Sequence, residues 1–201
     1  YIVQGSPSQG IAKISDAPEA EDPWDALEEL ARAGRWQEMW WKIPETMLQG
    51  ASKPGPVLLA LIAGTCWFVF LWQVMRPQNW FGVRSWLALA GVALGVLSIW
   101  PTIFLVNWQQ YHLGLERSTS LVGGLRYYLL GVGLREELAK LICLLPLVPL
   151  LVRLRSEIAA LIISACVGLG FALEENISYF AGSVGTDALG RFLTANPLHL
   201  A

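Results

Sequence analysis

Apolar residues in this chain gather into long runs separated by short polar turns, and the run lengths predict helices that cross a bilayer. Val57 to Met75 is a charge-free apolar run. At about 1.5 Å per residue it covers a hydrocarbon core of about 30 Å. Arg76, Pro77, Asn79 and Arg84 mark a polar turn, and Trp86 to Val106 predicts a second span containing Pro101, which membrane helices tolerate. Gly91 and Gly95 form a small-xxx-small pair that lets another helix approach closely. Asn107 to Arg126 reads as a polar connector, with Gly123-Gly124 breaking the chain before a third span from Tyr127 to Val152. Arg153 and Arg155 close that span and Glu157 starts the return. Ile158 to about Phe180 is then a fourth, joined by a tight turn, so spans three and four are read as an antiparallel hairpin. Gly182 to Asn196, with Asp187 and Arg191, is a small-residue connector, and Pro197 to Ala201 reads as the first turn of a fifth span.

Ahead of the spans the pattern changes. Tyr1 to roughly Asp22 is rich in Gly, Ser, Pro, Ala and acid without periodicity, which predicts a flexible acidic tail. Pro23 opens a helix in which Trp24, Leu27, Leu30 and Ala31 recur at helical spacing up to the stop at Gly34. Trp36 to Leu48 is a second amphipathic piece. Its Trp36, Met39, Trp40 and Trp41 beside Lys42 suit the headgroup region, and a small helical hairpin packed on itself fits equally well. The expected organisation is a tail over 1–22, an amphipathic interfacial segment over 23–50 and a transmembrane bundle over 57–201. Because the chain starts at Tyr1 rather than Met and stops just after a new apolar segment opens, it is expected to be a piece of a longer protein.

Composition fixes the solvent. With 54% hydrophobic residues, 15% charged and a mean hydropathy of +0.46 over 201 residues, the chain is too apolar to keep a soluble surface around one core. The fold class is therefore all-α, a polytopic membrane helix bundle of at least four spans plus the start of a fifth. A net charge of -2 supplies no basic field, so nucleic acid is excluded as a partner. Membrane lipids and membrane-anchored proteins are the expected ones. Cys66, Cys143 and Cys166 lie inside apolar runs at spacings that match neither a disulfide framework nor a zinc knuckle, and are assigned to packing.

The candidate chemistry lies where charge enters those runs. Span three carries Arg135, Glu136, Glu137 and Lys140, and each central charge costs roughly 2.5 to 3.5 kcal/mol to insert. They must pair, neutralise or face a wet cavity. Glu136 and Lys140 are i, i+4 neighbours and Glu137 and Lys140 are i, i+3, so Lys140 can pair with one carboxylate while the other points into the bundle. Adjacent carboxyls, one protonated and one charged, are what general acid/base chemistry needs. A salt bridge that only fixes helix packing is the plainer reading. Span four carries Glu174, Glu175 and Asn176 after Gly168 and Gly170. In an antiparallel hairpin Glu136, Glu175 and His199 approach one membrane face and can share a cavity. His with carboxylates either binds a divalent metal such as zinc, here through Glu137, Glu175 and His199, or activates water with no metal. His112 has no carboxylate cluster beside it and is read as interfacial.

Over roughly Tyr127 to Ala201 the sequence resembles the PrsW family of intramembrane proteases, distant relatives of the CAAX-type prenyl-protein peptidases. Glu136, Glu137 and Lys140 match the family's Glu-Glu-x-x-Lys motif; Phe171, Glu175 and Asn176 match Phe-x-x-x-Glu-Asn; His199 matches the His that opens a later helix. The resemblance implies an intramembrane endopeptidase that cleaves membrane-associated proteins and resides in the bacterial inner membrane. In that reading Glu136 or Glu137 is the general base, Glu175 and His199 orient water or metal, and Asn176 helps hold the oxyanion. Two other readings use the same residues: a non-catalytic, protease-like subunit of a larger membrane complex, and a carboxylate relay in an ion-coupled transporter.

Overall fold

Backbone polar groups in hydrocarbon must be satisfied within the segment, and the described residues answer almost wholly with helix. The computed structural model describes residues 23–76, 82–115, 118–182 and 186–200; the tail expected over 1–22 lies outside them. Among the described residues, three helices are long and apolar enough to cross a membrane: α3 (Pro54–Met75), α4 (Val83–Leu113) and α8 (Glu157–Gly182, apolar as far as Phe180). They follow two short helices, α1 (Pro23–Arg32) and α2 (Trp36–Gly50). The fold is an all-α polytopic membrane bundle.

The stretch expected as a regular third span is helical but divided. Helix begins ahead of it, within the expected connector, as α5 (Leu121–Arg126); the span itself is a π-helical segment at Tyr127–Gly133, α6 (Leu134–Leu144), a 3-10 turn at Leu145–Leu147 and α7 (Val148–Leu154). Pro146 and Pro149 each remove a backbone donor from the α-helical ladder, which accounts for the second break. The π segment immediately precedes the Arg135–Lys140 charges, and such insertions re-aim the side chains that follow them. Arg155, in the left-handed region at φ 49°, turns the chain into α8.

α8 is the axis of the bundle. Of its apolar window 56% is buried, against 22% for α3 and 33% for α4. α3 runs antiparallel to it, with Ala60 near Ile177 and Phe180, and Gly64 beside Leu173. α4 runs parallel to it, and here the small residues do the work their spacing predicts. A Cβ on Gly95 would stand 1.9 Å from the Val167 carbonyl oxygen, and one on Gly170 2.0 Å from that of Val92, so neither position has room for a side chain. Outward faces carry Leu61, Ile62 and Phe70 on α3, Leu89 and Leu97 on α4, and Leu138 and Ile142 on α6, all exposed. So large an apolar surface requires lipid around it.

The N-terminal hairpin packs on this bundle. Leu27, Ala31, Met39 and Ile43 form one buried cluster with Ile99 and Ile103 of α4 and Phe171 of α8. Trp100 Nε1 donates to the Trp40 carbonyl at 2.9 Å, and the Tyr111 hydroxyl donates to Glu28 at 3.0 Å. Trp41 and Leu48 of the hairpin stay exposed. On its outer side Arg35 pairs with Glu38 and holds that carboxyl below its usual range.

Candidate active site

The charges of α6 meet three different environments. Lys140 is buried, with Nζ 2.8 Å from Glu137 Oε1 and 3.1 Å from His199 Nδ1, and it stands over the Phe171 ring at 4.4 Å from the centroid. The Glu137 side chain is 69% exposed, so its carboxylate closes the outer end of this chain of contacts. Glu136 is half-buried and lies within electrostatic reach of Glu175, His199 and Lys140. Arg135 is buried, donating from Nη1 to Gln109 Oε1 at 3.3 Å, with no partner for Nε among the described residues.

His199 is delivered by α10 (Ala195–Leu200), which follows α9 (Thr186–Leu193). A lysine ammonium has donors and no acceptor, so His199 Nδ1 accepts from Lys140. Nε2 then carries the ring proton and donates to Glu175 Oε2 at 2.9 Å, an assignment made from the network. The depth of α10 is set by Gly168, where a Cβ would fall 1.6 Å from the His199 carbonyl oxygen. The His199 ring also lies 5.2 Å from that of Phe171.

Glu175 Oε2 accepts a second bond, from Arg191 Nη2 at 2.6 Å, and Arg191 Nε donates to Asn176 Oδ1 at 2.7 Å. Asn176 Nδ2 in turn donates to Asn196 Oδ1 at 2.8 Å. Glu174, next in sequence, does not join this network; it is buried, with Oε2 unpartnered among the described residues. A cleft of about 380 Å³ opens between α6 and α8. Glu137, Lys140 and His199 form its polar end and Leu144, Leu161 and Ile162 its apolar length.

The structure thus brings Lys140, Phe171, Glu175, Asn176 and His199 into one connected site, with Glu136 beside it and Glu137 at its rim. Two roles expected from sequence meet a different geometry here. Asn176 is 1% exposed and engaged at both ends of its amide, where it links α8 to α9 and α10. The metal set of Glu137, Glu175 and His199 does not assemble, because Glu137 reaches His199 only through the Lys140 ammonium. Both His199 nitrogens are engaged, and among the described residues no group of three His, Cys, Asp or Glu side chains could hold a metal. A protein zinc site takes three or four such donors, so the residues as arranged do not fit one. Arg191 and Asn196 were not singled out from sequence. The signal was an Arg in an otherwise small-residue connector shortly before His199, but nothing local says that α9 folds back onto α8.

A family model described as PrsW family intramembrane metalloprotease matches residues 84–201, which include every residue of this site and leave out α1 to α3. No curated protein and no solved structure matches the chain.

Proposed function

The chain belongs to the PrsW family of intramembrane metalloproteases, and from that premise we propose that it hydrolyses the polypeptide of membrane-anchored proteins with water activated by Glu136 and oriented by His199 and Glu175. The observation that carries this reading is the unbroken hydrogen-bonded path from Glu137 through Lys140, His199 and Glu175 to Arg191, which links three separate sequence motifs at one cleft. A relay fixing only helix packing would have no reason to end at an apolar cleft inside the bilayer. We place the protein in the bacterial inner membrane, where such substrates are anchored.

In this mechanism the substrate segment lies in the α6–α8 cleft with its scissile carbonyl at the polar end. Glu136, beside the cleft and in no ion pair among the described residues, takes a proton from a water held at the His199 end as the oxygen attacks the carbonyl carbon, and later returns it to the departing amine. Lys140 uses two of its three N–H groups on Glu137 and His199, leaving the third for the developing oxyanion. Glu175 holds the His199 ring in one orientation. Among the described residues the site offers too few free donors for a metal, and these steps use protein groups and water alone.

Purified protein in liposomes, offered membrane-anchored candidate substrates, tests this directly. Glu136→Gln should lose at least ~10²-fold in kcat, and the wild type should keep its rate in chelator. Undiminished cleavage by Glu136→Gln would remove the base assignment. A wild-type rate abolished by chelator and restored by zinc would replace the metal-free reading.

A further inference from the structure

We propose that Arg191 is a positioning residue of this site, fixing both the Glu175 carboxylate and the helix that carries His199; the inference rests on the hydrolytic reading above and assigns a residue that reading does not use. Glu175 is enclosed, its side chain 11% exposed, and Arg191 beside it is 16% exposed. A carboxylate so placed takes its orientation from its partners. Two donors, Arg191 Nη2 and His199 Nε2, converge on the same oxygen, Oε2, and so fix the rotation of the carboxylate.

The second bond of the guanidinium reaches further. Arg191 has donors only, so Asn176 must turn its Oδ1 toward Nε. That choice aims Asn176 Nδ2 at Asn196 Oδ1, and the reverse flip would set two donors against each other on one side and two acceptors on the other. Asn196 is 1% exposed and sits three residues before His199 in α10, so its anchor and the catalytic imidazole belong to the same turn of helix. The Tyr179 ring, 3.7 Å from the guanidinium carbon, braces the fork from behind. One planar side chain therefore spans two acceptors on successive residues of α8 and, through them, holds α10. A lysine, a point charge on a flexible stem, lacks the rigid fork that fixes both acceptors in one plane.

The α6–α8 cleft is not lined by Arg191, so its loss should leave substrate binding alone and slow the chemical step. In liposomes, Arg191→Lys, Arg191→Gln and Asn196→Ala should each lower kcat by roughly ten- to a hundredfold with KM within about twofold. The double variant Arg191→Gln with Asn196→Ala should be little worse than either single change, because both break one path. Added guanidinium should restore part of the rate to Arg191→Ala and none to Glu136→Gln. Full activity in Arg191→Lys would reduce the residue to a counter-charge, and a change confined to KM would make it a substrate contact; either overturns the proposal. Nitrogen NMR of His199 gives a readout without turnover. The wild type should show the Nε2–H tautomer, and Arg191→Lys and Asn196→Ala should show an altered or exchanging ring. If the wild type cleaves nothing but the ring responds in this way, the hydrolytic reading fails while the positioning role stands; an unchanged ring in both variants sinks the positioning role.

Discussion

Lys140 spends a buried ammonium on three neighbours, a rim carboxylate, an imidazole nitrogen and the face of an aromatic ring. Lys140→Met is expected to reduce kcat by about 10²- to 10³-fold, the scale of losing an oxyanion donor. Its melting temperature should move much less, since removing the buried cation also removes its desolvation cost. Gly168 supplies a complementary case. A methyl group there collides with the His199 carbonyl oxygen, so Gly168→Ala must push α10 outward and pull the imidazole from Glu175. The expected result is helix content unchanged by circular dichroism with cleavage reduced at least ~10-fold, on the logic that small misplacements of catalytic groups are costly. At this scale the sequence was informative where charge entered apolar helix: Glu136, Glu137, Lys140 and Glu175 stood out because hydrocarbon makes such residues expensive, and His199 through their company. Arg191 did not, because a connector charge costs nothing until tertiary structure folds it against a buried carboxylate.

The helices were legible to the extent that hydropathy alone defines them. α3 and α8 follow from run length, as does α4 over Trp86–Val106, but α4 continues to Leu113 through the start of the expected connector; the parallel seam of α4 with α8 uses Gly91 and Gly95, although their partner helix could not be named from spacing. The division of the third span was hidden because Pro146 and Pro149 are residues membrane helices also accommodate, so their presence does not distinguish a broken helix from a continuous one. The N-terminal hairpin left two readings open, and docking on the bundle emerged only from its contacts with Ile99, Ile103 and Phe171. This gives α1 and α2 a stake in the site although the family match does not reach them. Ile43 is fully buried in the cluster that includes Phe171, whose ring also meets Lys140 and His199. Ile43→Ala should cost about 2 to 4 kcal/mol in unfolding experiments. It should also lower kcat, whereas Trp41→Ala, on the exposed side of the same helix, should change neither by a comparable amount.

At the scale of the molecule the decisive property is which solvent each surface meets. α3 shows an outward strip of Ile62, Cys66, Val69 and Phe70, all exposed, and buries only 22% of its apolar window. Nothing on that strip can hydrogen-bond effectively to water, so the bundle is stable only if lipid covers it. Cys66 makes the point measurable. With Cys143 and Cys166 replaced by alanine, a nitroxide on Cys66 in liposomes should collide freely with oxygen, which partitions into acyl chains, and hardly at all with a water-soluble nickel chelate. A nitroxide at Trp41, on the exposed side of a hairpin expected at the headgroup level, should show the opposite preference. Nickel access at Cys66 would mean that this face lines water, as a transporter's pathway does, and would turn the carboxylates of α6 and α8 into candidates for a relay. Low access to both probes would mean that protein rather than lipid covers α3, and the unit that presents the cleft to its substrate would then be an assembly. Oxygen access alone would set α3 against lipid, the surrounding that the proposed entry of a membrane-anchored chain into the α6–α8 cleft requires.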